Sequence, residues 1–285
     1  MDKYLLLYRL FIIAVMKGIF ENLKRPLLAV LLFLLAQLVV SFVLMFVAGV
    51  YAGIAGKDIQ SVSVGGGFMG IASLLSNVLV VFISLKMFGR KSYSQDFQLQ
   101  SQPSGWLRNV IVLLGCVFGV IAMDLFSEIL SLPNIMEKEI MGMLGNPWGI
   151  AAIAIGAPLG EELLFRWGIQ GHLLRRGCSV PLSIVLSALL FGLAHINPAQ
   201  VFFAFIMGIL LGLLYWRSGS LWLPILLHAL NNGTACLQVW LLGDEAETFS
   251  MVEAVGGQMM ACINIVVLSL ACAGVMWWYV KGTRE

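Results

Sequence analysis

Apolar runs about as long as a bilayer is thick recur along this 285-residue chain, and no other feature narrows its fold so far. A helix needs about 20 mostly apolar residues to cross the hydrocarbon, where each backbone N–H and C=O must be satisfied within the structure. Eight segments meet that condition: about 26–52, 66–88, 108–127, 148–173, 180–197, 199–216, 221–241 and 257–280. They predict an all-α fold, a polytopic integral membrane helical bundle of about eight transmembrane helices. Composition closes off the soluble alternative. With 60% of residues hydrophobic and 11% charged, too few charged side chains exist to cover a water-facing surface.

The connections refine this picture. Asn197-Pro198 and Ser218-Gly219-Ser220 are tight turns that make the fifth, sixth and seventh spans consecutive antiparallel neighbours. Basic residues collect in alternate connections: Lys3, Arg9, Lys17, Lys24 and Arg25, then Arg90, Lys91 and Arg108, then Arg175 and Arg176, then Arg217, then Lys281 and Arg284. The other connections carry Lys57-Asp58, then Glu128, Glu137, Lys138 and Glu139, then Asp244, Glu245 and Glu247. The positive-inside rule then predicts both termini in the cytoplasm, with a bacterial cytoplasmic membrane as the expected location. Residues 1–25 lack a small-residue cleavage site and mix Tyr4, Tyr8, Phe11 and Phe20 with Lys17 and Lys24. That pattern suits an interfacial helix, not a cleaved signal peptide. The expected organisation is an interfacial segment (1–25), N-terminal spans (26–144), a core carrying the chemistry (145–242), and a final loop and span (243–285).

Several functions are excluded. The basic residues form no stripe able to neutralise phosphates, so nucleic acid is not an expected partner. The Gly65-Gly66-Gly67 run lacks the order of a phosphate loop and reads as a turn or close-packing point. Five cysteines, odd in number and without a CxxC, read as core-filling residues.

The informative residues are polar ones inside the spans. The fourth span holds Glu161, Glu162 and Arg166, which hydrocarbon tolerates only in a compensating arrangement. Glu162 and Arg166 lie four apart and can pair along one helix face, whereas Glu161 points about 100° away and is left without an obvious partner. His195 closes the fifth span, and His228 shares a face of the seventh with Asn232, Asn231 being turned aside by one residue. A lone histidine in an apolar helix is ordinarily a hydrogen-bonded core residue, and His172, beside Arg175-Arg176, reads as interfacial. Two histidines on different spans with a carboxylate on a third suggest one site. A carboxylate and an imidazole can activate water, and an imidazole with an Asn amide can hold an oxyanion. Glu161, His195 and His228 are equally a possible zinc set with an open position, although HExxH spacing is absent. Ser187 is eight residues before His195, too far along the helix to serve it as a nucleophile. Depth counting puts Glu161 mid-bilayer, His228 nearer the cytoplasm and His195 toward the opposite face, so convergence requires a tilted, broken or offset fourth or fifth helix.

At these residues the chain resembles the CPBP family of intramembrane proteases, which includes the CAAX prenyl endopeptidases and bacterial Abi relatives. The resemblance covers roughly 145–242, where EExxxR appears as Glu161 to Arg166, FxxxH as Phe191 to His195, and HxxxN as His228 to Asn232. Three patterns in order, each in a separate span, are specific together. The resemblance implies an endopeptidase in which Glu161 activates water with His195, His228 and Asn232 stabilise the oxyanion, and Glu162 and Arg166 support the site. It implies either a glutamate protease needing no cofactor or a metalloprotease. Trp167 stands where the family commonly has glycine, and is expected to reshape the cavity or its entrance. The expected partners are a peptide or protein substrate and the bilayer; prenyl specificity does not carry over. An ion or solute transporter, or a nonenzymatic partner-binding membrane protein, would use the same buried polar groups differently.

Overall fold

The computed structural model describes residues 3–57, 66–89 and 105–282, with side chains from residue 18 onward except those of Asp244 and Glu247. Among the described residues every element is helical, and seven helices are long and apolar enough to span a membrane. The chain is an all-α integral membrane bundle. Its elements are α1 (Lys3–Ala55), α2 (Gly66–Phe88), α3 (Trp106–Leu130), α4 (Glu137–Leu144), α5 (Pro147–Arg175), α6 (Val180–Leu193), α7 (Pro198–Ser218), α8 (Trp222–Leu242), α9 (Met251–Ala254) and α10 (Gln258–Lys281). The side chains of Lys3, Arg9 and Lys17, and residues Asp58, Gly65, Arg90, Lys91 and Arg284, lie outside what is described.

Two elements depart from expectation. The first is α1, a single 53-residue helix that runs through Pro26. Proline's fixed φ is itself helical, so the ring costs one backbone hydrogen bond and local crowding without ending the helix. Ala29 and Phe33, one and two turns later, are buried in the core and hold the helix in place. The interfacial segment and the first span are therefore continuous. The second is α6, which ends at Leu193. Its 14 residues reach only about 21 Å, short of the roughly 30 Å of hydrocarbon. His195 thus follows the helix end and lies in the connection to α7.

The basic ends of alternate connections meet. Arg108 donates to the carbonyls of Trp278, at 3.0 Å, and Tyr279, at 2.9 Å, as well as to that of Gly282. Arg217 Nε donates to the same Tyr279 carbonyl at 3.2 Å, and Arg176 Nε to Asn22 Oδ1 at 3.0 Å.

Small residues set the spacing around the fourth to seventh spans. A Cβ on Gly160 would lie 2.6 Å from Asn77 Oδ1, and one on Gly168 would lie 2.8 Å from the Phe88 ring. These contacts, with Gly70 packed on Gly149, draw α5 close to α2. A Cβ on Gly208 would lie 2.9 Å from that of Ala188, and one on Gly192 would lie 2.7 Å from the Val201 carbonyl. Close approach of α6 and α7 through small residues is how membrane helices gain packing when lipid supplies no hydrophobic drive. Of the five cysteines, all of which are free thiols, Cys116, Cys236 and Cys272 are buried.

Candidate active site

The site begins with helix periodicity. Ile153, Ala157 and Glu161 recur every fourth residue on α5; His228, Asn231, Asn232 and Ala235 follow i, i+3, i+4, i+7 on α8; Gln200, Phe203, Ala204 and Met207 do the same on α7. All three stripes, together with Phe191 and His195, line one cavity of about 340 Å³, roofed by Ile140, Met143 and Leu144 of α4. Glu161, His195, His228 and Asn232, taken from three separate spans in the sequence, share this cavity. Asn231 shares it too. Its position three residues after His228 was the available signal, since i+3 and i+4 lie on one helix face.

Helix α5 is not uniformly α-helical. Ala152–Gly156 and Leu163–Gln170 are π-helical, a widening frequently found at functional sites. The first stretch leaves the Ile153 carbonyl available to Asn232 Nδ2, which donates to it at 2.8 Å. Asn231 Nδ2 donates to Asn232 Oδ1 at 3.1 Å. The orientation of the Asn232 amide is thereby fixed, and its second N–H stays unused by either bond.

The neighbouring glutamates have different surroundings. Glu162 is fully buried. Its Oε2 lies 3.0 Å from Arg166 Nε, and its Oε1 accepts from His228 Nδ1 at 2.9 Å. Glu161 is 13% exposed, and its Oε2 has no hydrogen-bond partner in the protein; the nearest basic atom is His228 Nε2 at 3.9 Å. The expected Glu162–Arg166 pair is present, and His228 is bound more closely by Glu162 than by Glu161.

Phe191, the aromatic residue four before His195, joins the whole group. The Arg166 guanidinium carbon sits 4.3 Å from its ring centroid, and the imidazoles of His195 and His228 meet it edge-to-face at 5.0 and 5.7 Å. Arg166 is fully buried and gains a cation–π contact where no further hydrogen-bond acceptor reaches Nη1 or Nη2.

The partners show which ring nitrogen donates. His195 Nδ1 lies 2.8 Å from the Phe191 carbonyl, which can only accept, so Nδ1 carries a proton and Nε2 is the nitrogen left for other partners. His228 Nδ1 likewise donates to the Glu162 carboxylate, leaving Nε2 toward Glu161.

A zinc ion does not fit this donor set as placed. Two donors on a tetrahedral zinc are separated by about 3.4 Å, less than the 3.9 Å between Glu161 and His228. Among the described residues no group of three His, Cys, Asp or Glu is spaced to hold a metal.

The remaining candidates lie elsewhere. His172 is buried, its ring 5.8 Å from that of Phe88, away from the cavity. Ser187 donates to the Phe165 carbonyl at 2.7 Å. Trp167 packs against the core that contains Phe33, Phe88 and Phe165, and does not line the cavity. The motif Arg and its successor point to different sides of α5, which takes the indole out of the cavity lining.

Residues 143–234 match the family model described as Type II CAAX prenyl endopeptidase Rce1-like. The matched region runs from the end of α4 into α8 and contains every polar residue of the cavity. No curated protein and no solved structure gives a significant match.

Proposed function

We propose that the chain is an intramembrane endopeptidase that hydrolyses peptide bonds with water activated by Glu161 and His195. One observation carries the reading: a carboxylate with an unpartnered Oε2 shares a cavity with two histidines, each oriented by an Nδ1 hydrogen bond to another group. The family match over 143–234 supports the same class.

In the proposed reaction, water lies between Glu161 and His195, whose Nε2 lone pair orients it by accepting one hydrogen bond. Glu161 takes the other proton as the water oxygen attacks the peptide carbonyl. The tetrahedral oxyanion is held by the spare N–H of Asn232 and by His228 as an imidazolium, its Nδ1–H on Glu162 and its Nε2–H on the oxyanion. Glu161, now a carboxylic acid, passes its proton to the amide nitrogen, the C–N bond breaks, and an acid and an amine leave. Glu162 and Arg166 hold His228 and carry no proton in these steps. The apolar roof and α7 wall favour an apolar segment of a membrane-associated peptide or protein as substrate. The positive-inside pattern supports both termini in the cytoplasm, with α4 toward the opposite face.

The test is cleavage of a fluorogenic peptide library by purified protein, with and without a chelator. Wild type should cleave in both conditions, and Glu161→Gln should lose about 10²–10⁴-fold in rate while staying folded, the usual contribution of a positioned base. Wild-type turnover by Glu161→Gln would refute the mechanism. Activity abolished by chelator and restored by zinc would favour the metal alternative.

A further inference from the structure

The connection between α6 and α7 contains a backbone feature that the packing of two helices does not require. Ile196 has φ +63°, in the left-handed region that β-branched residues rarely enter. Asn197 N donates back to the His195 carbonyl at 2.6 Å, closing a three-residue turn around Ile196. Such γ-turns with positive φ are rare and strained. The Ile196 side chain is 65% exposed, so its own packing does not hold this conformation.

Asn197 is placed to do so. It occupies the position preceding α7, where an asparagine normally caps the helix with its side chain, yet here it makes no such bond. Its fully buried amide turns instead to the α3–α4 connection. Nδ2 donates to Asn134 Oδ1 at 2.7 Å, and Oδ1 accepts from Ile135 N at 3.1 Å. Ala199 N donates to the Pro133 carbonyl at 3.3 Å beside it. A cap has been given up for a strap joining the strained turn to the segment that leads into the α4 roof.

We propose that Asn197 is a positioning residue for His195: its strap to residues 133–135 holds the Ile196 turn, and the turn holds His195 in register with Phe191. Strain persists in folded proteins only where the surroundings over-determine it, and these two amide bonds are that surrounding. The imidazole keeps its Nδ1–H on the Phe191 carbonyl, with Nε2 free for other partners, only while His195 stays at that position. The same strap links the cavity roof to the histidine, so movement of residues 133–135 reaches His195 directly. The inference rests on the reading of His195 as part of the hydrolytic site, but its test does not depend on turnover.

The chain has three histidines, so nitrogen-15 NMR of histidine-labelled full-length protein in detergent micelles can resolve each ring. His195 is assigned by loss of its signals in His195→Gln. Wild type should show one protonated and one unprotonated nitrogen for His195. Asn197→Ala should move both toward averaged values, with His172 and His228 unmoved, and Asn134→Ala should shift them less in the same direction. Adding Ile196→Gly to Asn197→Ala should restore the wild-type pattern, because glycine adopts positive φ freely and holds the turn without the strap. A folded Asn197→Ala protein with unaltered His195 signals would overturn the proposal, as would failure of Ile196→Gly to restore them. If Asn197→Ala does not fold, Asn134→Ala decides, since Asn134 is exposed and its loss removes a single strap bond. In peptide cleavage, Asn197→Ala should lower kcat with KM unchanged. A wild type that shows the expected ring signals but cleaves nothing would count against the hydrolase reading and leave the strap standing.

Discussion

Replacing Glu162 by glutamine should unfold this protein far more readily than the same change one residue earlier. The carboxylate of Glu162 is fully buried, 3.0 Å from Arg166 Nε, and the arginine has no other counter-charge bonded to it. Glutamine keeps the shape and an acceptor for His228 Nδ1, but leaves a guanidinium with only the face of Phe191 in contact and the more distant charge of Glu161. Breaking one side of a buried ion pair costs about 3–5 kcal/mol, or roughly 10²–10⁴-fold in the folding equilibrium at about 1.4 kcal/mol per decade. Glu161→Gln removes no protein hydrogen bond or close ion pair and should cost less than about 1 kcal/mol. Denaturant titration in mixed micelles, followed by tryptophan fluorescence, measures both. The double variant Glu162→Gln/Arg166→Met carries no stranded charge and should recover about half or more of the loss, since apolar replacement of a buried pair is often close to neutral. The reasoning is refuted if Glu162→Gln falls within about 1 kcal/mol of wild type, or if removing the arginine as well makes matters worse.

Three further outcomes follow from the same geometry. Phe191→Leu removes the cation–π surface under Arg166 and the edge contacts to both imidazoles, and should destabilise by about 1–3 kcal/mol in the same titration while lowering peptide cleavage. Gly192→Ala drives a Cβ against the Val201 carbonyl, and should cost about 1–3 kcal/mol and displace His195, which the histidine NMR signals would report. Asn231→Leu leaves Asn232 Oδ1 without its donor, so kcat for peptide cleavage should fall roughly tenfold, equivalent to about 1.4 kcal/mol of transition-state stabilisation, with little change in unfolding; an unchanged kcat would remove Asn231 from the site.

Much of this molecule is written in one dimension. The backbone in hydrocarbon has so few ways to satisfy itself that runs of about 20 apolar residues specify helices nearly to their ends. The second span, for instance, is Gly66–Phe88 in both readings. The cost of charge in lipid likewise singled out Glu161, Glu162, Arg166, His195 and His228 before any fold was known. Helical spacing alone foretold the Glu162–Arg166 pair.

Tertiary structure decided what each of those residues touches. Nothing local distinguishes the fully buried Glu162, held between Arg166 and His228, from Glu161, left facing the cavity. That difference arises because Arg166 and His228 Nδ1 both reach Glu162, whereas only His228 Nε2 approaches Glu161, at 3.9 Å. Likewise the early end of α6, the continuity of α1 through Pro26, the inward face of Asn231 and the turn at Ile196 depend on neighbours distant in sequence. Local composition limits the secondary structure a segment can adopt in lipid, whereas the partner of a buried polar group is set by which helix lies opposite, and glycine contacts such as Gly160–Asn77 and Gly208–Ala188 fix that distance.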